Sequence, residues 1–313
     1  FSVTNPANTI TGLAGPLAVG VNLDGITVAA AGIVVNTLST DAGGAGTGLS
    51  VNNVAGTGPV TVNGGSLVTG TRGVDVNGGS GDVTVGASIN PTGGRSVEVT
   101  GHTSGTVDLN GAVNEDATGI NLTGNTGSAV RFDGGLTAST GASTAFNATG
   151  GGTVVVTGAA NTLTTTTGTP LNVTSTSIGA NGLTFRSIAS TGAASGIVLS
   201  ATGNAGGLTV AGNGGTCSSP ATCSGGAIQS STGKGISLSN VGGGVSLTRM
   251  SVNGGADDGI DGSAVTGLTV AGSRVVNNGN AADEDGISLS NAAGAVSVTG
   301  TEVTGSAYNN LRV

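Results

Sequence analysis

Two short apolar patterns alternate along this chain, each of the form apolar-x-apolar. The first, G-I-x-L or a relative of it, begins at Leu49, Val74, Val97, Ile120, Phe146, Leu171, Ile197, Ile236, Ile260, Ile287 and Leu311. The second, V-T-V or L-T-V, begins at Val60, Val83, Val107, Val130, Val154, Leu183, Leu208, Val245, Leu268 and Val296. A weaker third apolar position follows, at Leu67, Ile89, Val113, Leu136, Leu163, Ile188, Val275 and Val303. Successive first patterns lie 25, 23, 23, 26, 25, 26, 39, 24, 27 and 24 residues apart, and the second trails the first by 8 to 12.

In a strand, such a triplet turns two side chains to one face and the middle one to the other. Gly, Asn and Ser between the triplets suit corners that need φ > 0. Three short strands in about two dozen residues describe one turn of a triangular coil. A single coil cannot bury its own apolar face; stacking buries a continuous core and pairs each backbone with the coils on either side. The expected fold is all-β: a right-handed, single-stranded parallel β-helix (solenoid) of about 11–12 coils of three short strands, a single domain over residues 1–313. The hand follows from the right-handed preference of parallel crossovers.

Composition narrows this picture. Gly supplies 63 of 313 residues and charged residues only 8%, yet 36% are hydrophobic and the mean hydropathy is +0.25. Disordered chains combine few aliphatics with much charge, so this one should fold. Aromatics are 2%, with no Trp and one Tyr, which leaves a narrow core of Val, Ile and Leu. A net charge of −8 with eight Lys and Arg provides no basic footprint for nucleic acid. The longest apolar run, ITVAAAGIVV over residues 26–35, is too short for a membrane span. The chain begins at Phe1 without a signal-like segment, so the expectation is a removed signal or a longer parent chain. Low Lys with abundant Thr, Ser, Asn and Gly suits an extracellular or cell-surface protein.

The runs DDGIDG, EDGISLS and TGLTVAG resemble right-handed β-helix repeats of large bacterial surface proteins and autotransporter-like adhesins, over nearly the whole chain. The resemblance implies the fold. For function it implies only a class of architecture that serves lyases, tailspikes, adhesins and fibres alike, and it carries over no catalytic residue.

Candidate chemistry is sparse. Cys217 and Cys223 lie in GGTCSSPATCSGG, where the period stretches to 39 residues. A Cys-bearing loop should therefore leave the coil around residues 211–227, closed by a local disulfide; two free thiols are the alternative. Zinc is disfavoured, since no other Cys exists and the only His, His102, sits several coils away. Acids cluster at Glu115-Asp116, at Asp257-Asp258 with Asp261, and at Asp283-Glu284-Asp285. Calcium is the sharp reading. Against it, Lys234, Asp258 and Asp285 each precede a first strand by two positions, which reads as a charge-compensated, solvated corner, and tandem G-G-x-G-x-D-x repeats are lacking. Outward acids also occur on strands, at Asp75, Glu98 and Asp108. Asp75 and Glu98 fall on adjacent coils, where a pair of carboxylates could act as general acid and base. His102 has no obvious partner and reads as a surface or turn residue.

The sequons at Asn121, Asn147 and Asn172 fall on the outward position of three successive first strands, so an Asn ladder explains them better than glycosylation. The outward column of the second strand reads Thr61, Thr84, Asp108, Arg131, Val155, Thr184, Thr209, Ser246, Thr269 and Ser297. A Thr/Ser face suggests ice binding, but the flanking column is mixed and charged.

The expected function is that of a structural or adhesive rod segment, meeting neighbouring subunits or cell-surface, host or glycan surfaces, and not of an enzyme. No cofactor or metal is expected. A carbohydrate-active β-helix enzyme and an ice- or glycan-binding module are the alternatives. Phe1-Ser2-Val3 and Asn310-Leu311-Arg312-Val313 both read as strand without a cap, which predicts a fragment of a longer rod or a subunit that stacks end to end.

Overall fold

The computed structural model describes residues 8–13, 19–41 and 46–313. The strand-like reading of Phe1-Ser2-Val3 lies outside the described residues. The chain is an all-β parallel solenoid of about 12 turns. It divides into two compact units, residues 1–139 with 147–157 and residues 140–146 with 158–313.

In the first unit the first strands stack as Val19–Asp24, Thr47–Asn52, Arg72–Asn77, Arg95–Thr100 and Ile120–Thr123, all parallel. Val21, Leu49, Val74 and Val97 fall opposite one another. The second strands align Ile33, Val60, Val83, Val107, Val130 and Val154 in one column. The third strands align Leu67, Ile89, Val113 and Leu136. The repeat thus begins one coil earlier than the sequence pattern suggests, at Val21 and Ile33. That coil's third strand is also out of phase, with Thr40 rather than Leu38 opposite Leu67.

In the second unit Leu171, Ile197, Ile236, Ile260, Ile287 and Leu311 form the first column. Leu183, Leu208, Val245, Leu268 and Val296 form the second. One 12-residue strand, Ile260–Ala271, runs through the corner and serves both sheets. The third column continues as Ile228, Val252, Val275 and Val303. Its strands Ala227–Gln229 and Ser251–Asn253 supply Ile228 and Val252, two third positions beyond those the sequence pattern picks out. Across the excursion the register moves by two: Ile228 lies opposite Ser190 rather than Ile188. A shift of two preserves which side chains face inward, so Ser190 is buried.

The inward columns are the core. Val74, Val97, Ile120, Leu171, Ile197, Ile236 and Ile287 are 0% exposed, and Ile260 is 1% exposed. Phe146 and Phe185, both in the second unit, meet edge to face at 6.5 Å between centroids. Gly262 takes an inward position between Leu238 and Leu289, and a Cβ there would lie 2.6 Å from Leu289 Cδ2. Leu289 fills the space that the glycine leaves.

Candidate functional site

Five arrangements could carry chemistry. The first is the excursion. It leaves after Leu208–Val210, returns at Ala227–Gln229 and contains a single 3-10 turn at Pro220–Thr222. Cys217 and Cys223 pair as a disulfide, with Cα atoms 4.2 Å apart, and close the middle of the loop around the 3-10 turn. The loop folds back on later coils of its own unit. Arg249 Nε donates to the Gly215 carbonyl at 2.7 Å, and Arg274 Nη1 to that of Ser218 at 2.8 Å.

The second is the charged face of the first strands. Asp75 lies opposite Glu98, as the spacing requires. Arg72 Nε bonds Glu98, Asn121 Nδ2 donates to Glu98 Oε1 at 3.1 Å, and Arg95 lies 3.9 Å from the same oxygen. Burial pushes the Glu98 carboxyl up, but the Arg72 and Asn121 hydrogen bonds and the charges of Arg72 and Arg95 together hold it below its ordinary value. Burial pushes Asp75 up; Arg72 opposes this and the Glu98 charge adds to it. Asn147 Nδ2 donates to Asn121 Oδ1 at 2.9 Å, which forms the expected rung between the first two sequon asparagines.

The third is its counterpart on the second strands. Asp108 and Arg131 sit opposite each other, with Arg131 Nε 3.3 Å from Asp108 Oδ1. Arg131 also binds Asp133 at 3.0 Å. Burial raises the Asp108 carboxyl against the pull of Arg131, helped by the charges of Asp133 and Asp82. Val155, in the same outward column, is 3% exposed.

The fourth is the set of acids at strand ends and corners, where the solvated reading holds for Asp116 and Asp283, which are exposed, and fails for three others. Glu115, Asp258 and Asp285 are 2%, 8% and 0% exposed. Glu115 turns inward at the end of Val113–Glu115: Oε1 accepts the amides of Ala117 and Gly119 at 2.8 and 2.9 Å, and Oε2 that of Ser96 at 2.6 Å. Asp258 Oδ1 accepts the Asp285 amide at 2.5 Å. Asp285 Oδ1 accepts the amide and side chain of Asn309 at 2.9 Å, while Oδ2 meets Arg312 at 2.9 Å. Lys234 bonds Asp261 and not the stacked Asp258, so the expected Lys–Asp–Asp ladder is replaced by a cross-corner pair. Burial raises the Asp258 carboxyl; the Asp285 amide opposes it, Asp257 and Asp261 reinforce it, and Lys234 opposes it. Among the described residues no group of three or more His, Cys, Asp or Glu is arranged to hold a metal ion.

His102 is likewise internal, 1% exposed, with Nδ1 2.8 Å from the Gly78 carbonyl and Nε2 2.9 Å from that of Gly81. Both ring nitrogens are occupied by backbone, so the imidazole closes a corner and offers no atom to a substrate.

The fifth is a shallow depression of about 460 Å³ on the second-strand face of the second unit, lined by Thr184, Thr209, Ser246 and Thr269 beside Gly182, Gly207, Gly244 and Gly267. Its hydroxyls run in register along the coils. No titratable side chain lines it, which leaves it without a general acid or base.

Among the described residues no helix is long and apolar enough to cross a membrane. No protein-family model matches the chain, and no match to it is found among curated proteins or solved structures.

Proposed function

We propose that this chain is a structural or adhesive scaffold segment of an extracellular or cell-surface protein, of the kind its repeats resemble in autotransporter-like adhesins. It presents corners and a disulfide-closed excursion to a neighbouring subunit, a glycan or a host surface, and it self-associates end to end. The observation that carries this reading is the destination of the charged groups. Glu98, Asp108, Glu115, Asp258 and Asp285 all bond to groups of their own chain, most of them on adjacent coils. Charge here fastens coil to coil. The disulfide suits an oxidising compartment. The test applies the purified protein to immobilised cell-surface glycans and matrix proteins, with light scattering across a concentration series. Retention or concentration-dependent assembly is expected; a protein that shows neither is not a scaffold of this kind.

A carbohydrate-active enzyme is the second reading. It is favoured by Asp75 and Glu98, which face each other with carboxyl affinities for the proton pushed in opposite directions, the condition for an acid and a base at one pH. Incubation with neutral and acidic polysaccharides decides between the two. Release of reducing or unsaturated ends, abolished by Asp75→Asn, would establish the enzyme.

A further inference from the structure

The excursion borders an open feature that the scaffold reading does not use. Between its Gly215–Ser218 segment and the coils it folds onto lies a pocket of about 350 Å³, walled by the loop on one side and by Arg249, Gly272 and Gly300 on the other. Arg249, Gly272 and Gly300 hold the same left-handed corner on successive coils, with φ of +52°, +55° and +55°. The two glycines leave open the space beside the arginine, whose Cγ lies 3.7 Å from where a Gly272 Cβ would stand.

Six of the eight basic side chains are engaged in ion pairs: Arg72, Arg95, Arg131, Lys234, Arg274 and Arg312. Arg249 has no acidic partner among the described residues. Its Nε is fixed by the Gly215 carbonyl at 2.7 Å, and Nη1 and Nη2 donate to no described group. The amides of Thr216 and Cys217, in the pocket wall, also donate to none. A guanidinium pinned by one edge with the other free is a pre-organised two-point donor, and two parallel N–H groups match the two oxygens of a carboxylate. One positive charge in a chain of net charge −8 suits a monoanion and repels polyanions. The volume suits a ligand of monosaccharide size.

We propose that this pocket binds a small monocarboxylate of the sugar-acid class, anchored on the free edge of Arg249 with the disulfide-closed loop as its wall. The site is independent of whether the chain serves as a scaffold, since it needs only the pocket and its arginine.

Isothermal titration of the intact, oxidised protein with sodium glucuronate tests it, with glucose and inorganic phosphate as comparisons. Saturable glucuronate binding with Kd on the order of 1 mM is expected, with glucose silent and phosphate weaker. Arg249→Gly adopts the corner that Gly272 and Gly300 already hold, so it keeps the fold, and it should weaken binding about tenfold or more. Arg249→Lys keeps the charge but loses the fork, and should fall between. Absence of saturation at about fifty times that Kd, glucose or phosphate binding as tightly as glucuronate, or unchanged affinity in either variant would overturn the assignment.

Discussion

On the strand faces, Glu98 and Asp108 meet arginines that reach across from neighbouring coils; at strand ends and corners, Glu115, Asp258 and Asp285 meet backbone amides. The same functional group does different physical work in the two places. A strand-face carboxylate keeps some contact with water, 15% exposed for Glu98 and 32% for Asp108, so its attraction to a guanidinium is partly screened and its removal leaves groups that water can reach. A corner carboxylate is dry and replaces hydrogen bonds that the turning backbone can no longer make to the next coil. Its loss strands buried donors. The chain is stitched along its faces by weak pairs and pinned at its corners by strong ones.

The largest expected effect breaks a pin. Glu115→Ala abandons three backbone amides at once and should cost about 3–5 kcal/mol in chemical denaturation. A cost below about 1 kcal/mol would mean that corners and faces are equivalent. Next comes the scale against which both are read, the core itself. Ile197→Ala, between Leu171 and Ile236 in the first column, should cost about 2–5 kcal/mol by opening a cavity.

pH separates two of these acids, because Glu98 on a face is lowered and Asp258 at a corner is raised, whereas Asp108 on a face is raised as well. Glu98 is held below its ordinary 4.5, so it contributes stability above that pH that is lost as pH falls through its lowered folded value. Glu98→Gln should therefore cost about 0.5–1 kcal/mol at neutral pH and progressively less below pH 4.5. Asp258 is raised above 3.8, so its ionisation opposes folding above the raised value and the penalty disappears below pH 3.8. Asp258→Asn keeps an oxygen for the Asp285 amide. It should raise neutral-pH stability by less than about 1 kcal/mol, a gain that vanishes in acid. Paired denaturation curves at neutral and acid pH should show the two variants moving in opposite directions. The smallest effect belongs to Asp108 and Arg131. A double-mutant cycle should return a coupling of at most about 1 kcal/mol that declines with added salt.

Where sequence reading succeeded and failed follows the same division. Alternation of apolar and polar residues dictates sidedness within a strand, because successive side chains must point to opposite faces. Equal spacing between coils then dictates which outward residues meet. The inward columns, the Asp75–Glu98 and Asp108–Arg131 oppositions and the Asn121–Asn147 rung were all legible in this way. So was the position of the excursion, from one stretched interval around two cysteines.

Tertiary structure alone decided what happens between strands. Whether an acid after a strand points to water or back into the coil depends on corner dihedrals that no apolar period encodes. Glu115 reads as a solvated acid and is buried, and His102 reads as a surface residue and is closed between two carbonyls. Across the excursion, the chain re-enters two residues out of phase and brings Ile228 beside Ser190. Local pattern is blind to this, since a shift of two leaves every inward residue inward. The pinning of the Arg249 guanidinium by the Gly215 carbonyl likewise exists only because a loop returns to coils that lie later in the chain. Sequence fixes the faces because strand geometry is periodic; the corners are aperiodic, and packing assigns their contacts.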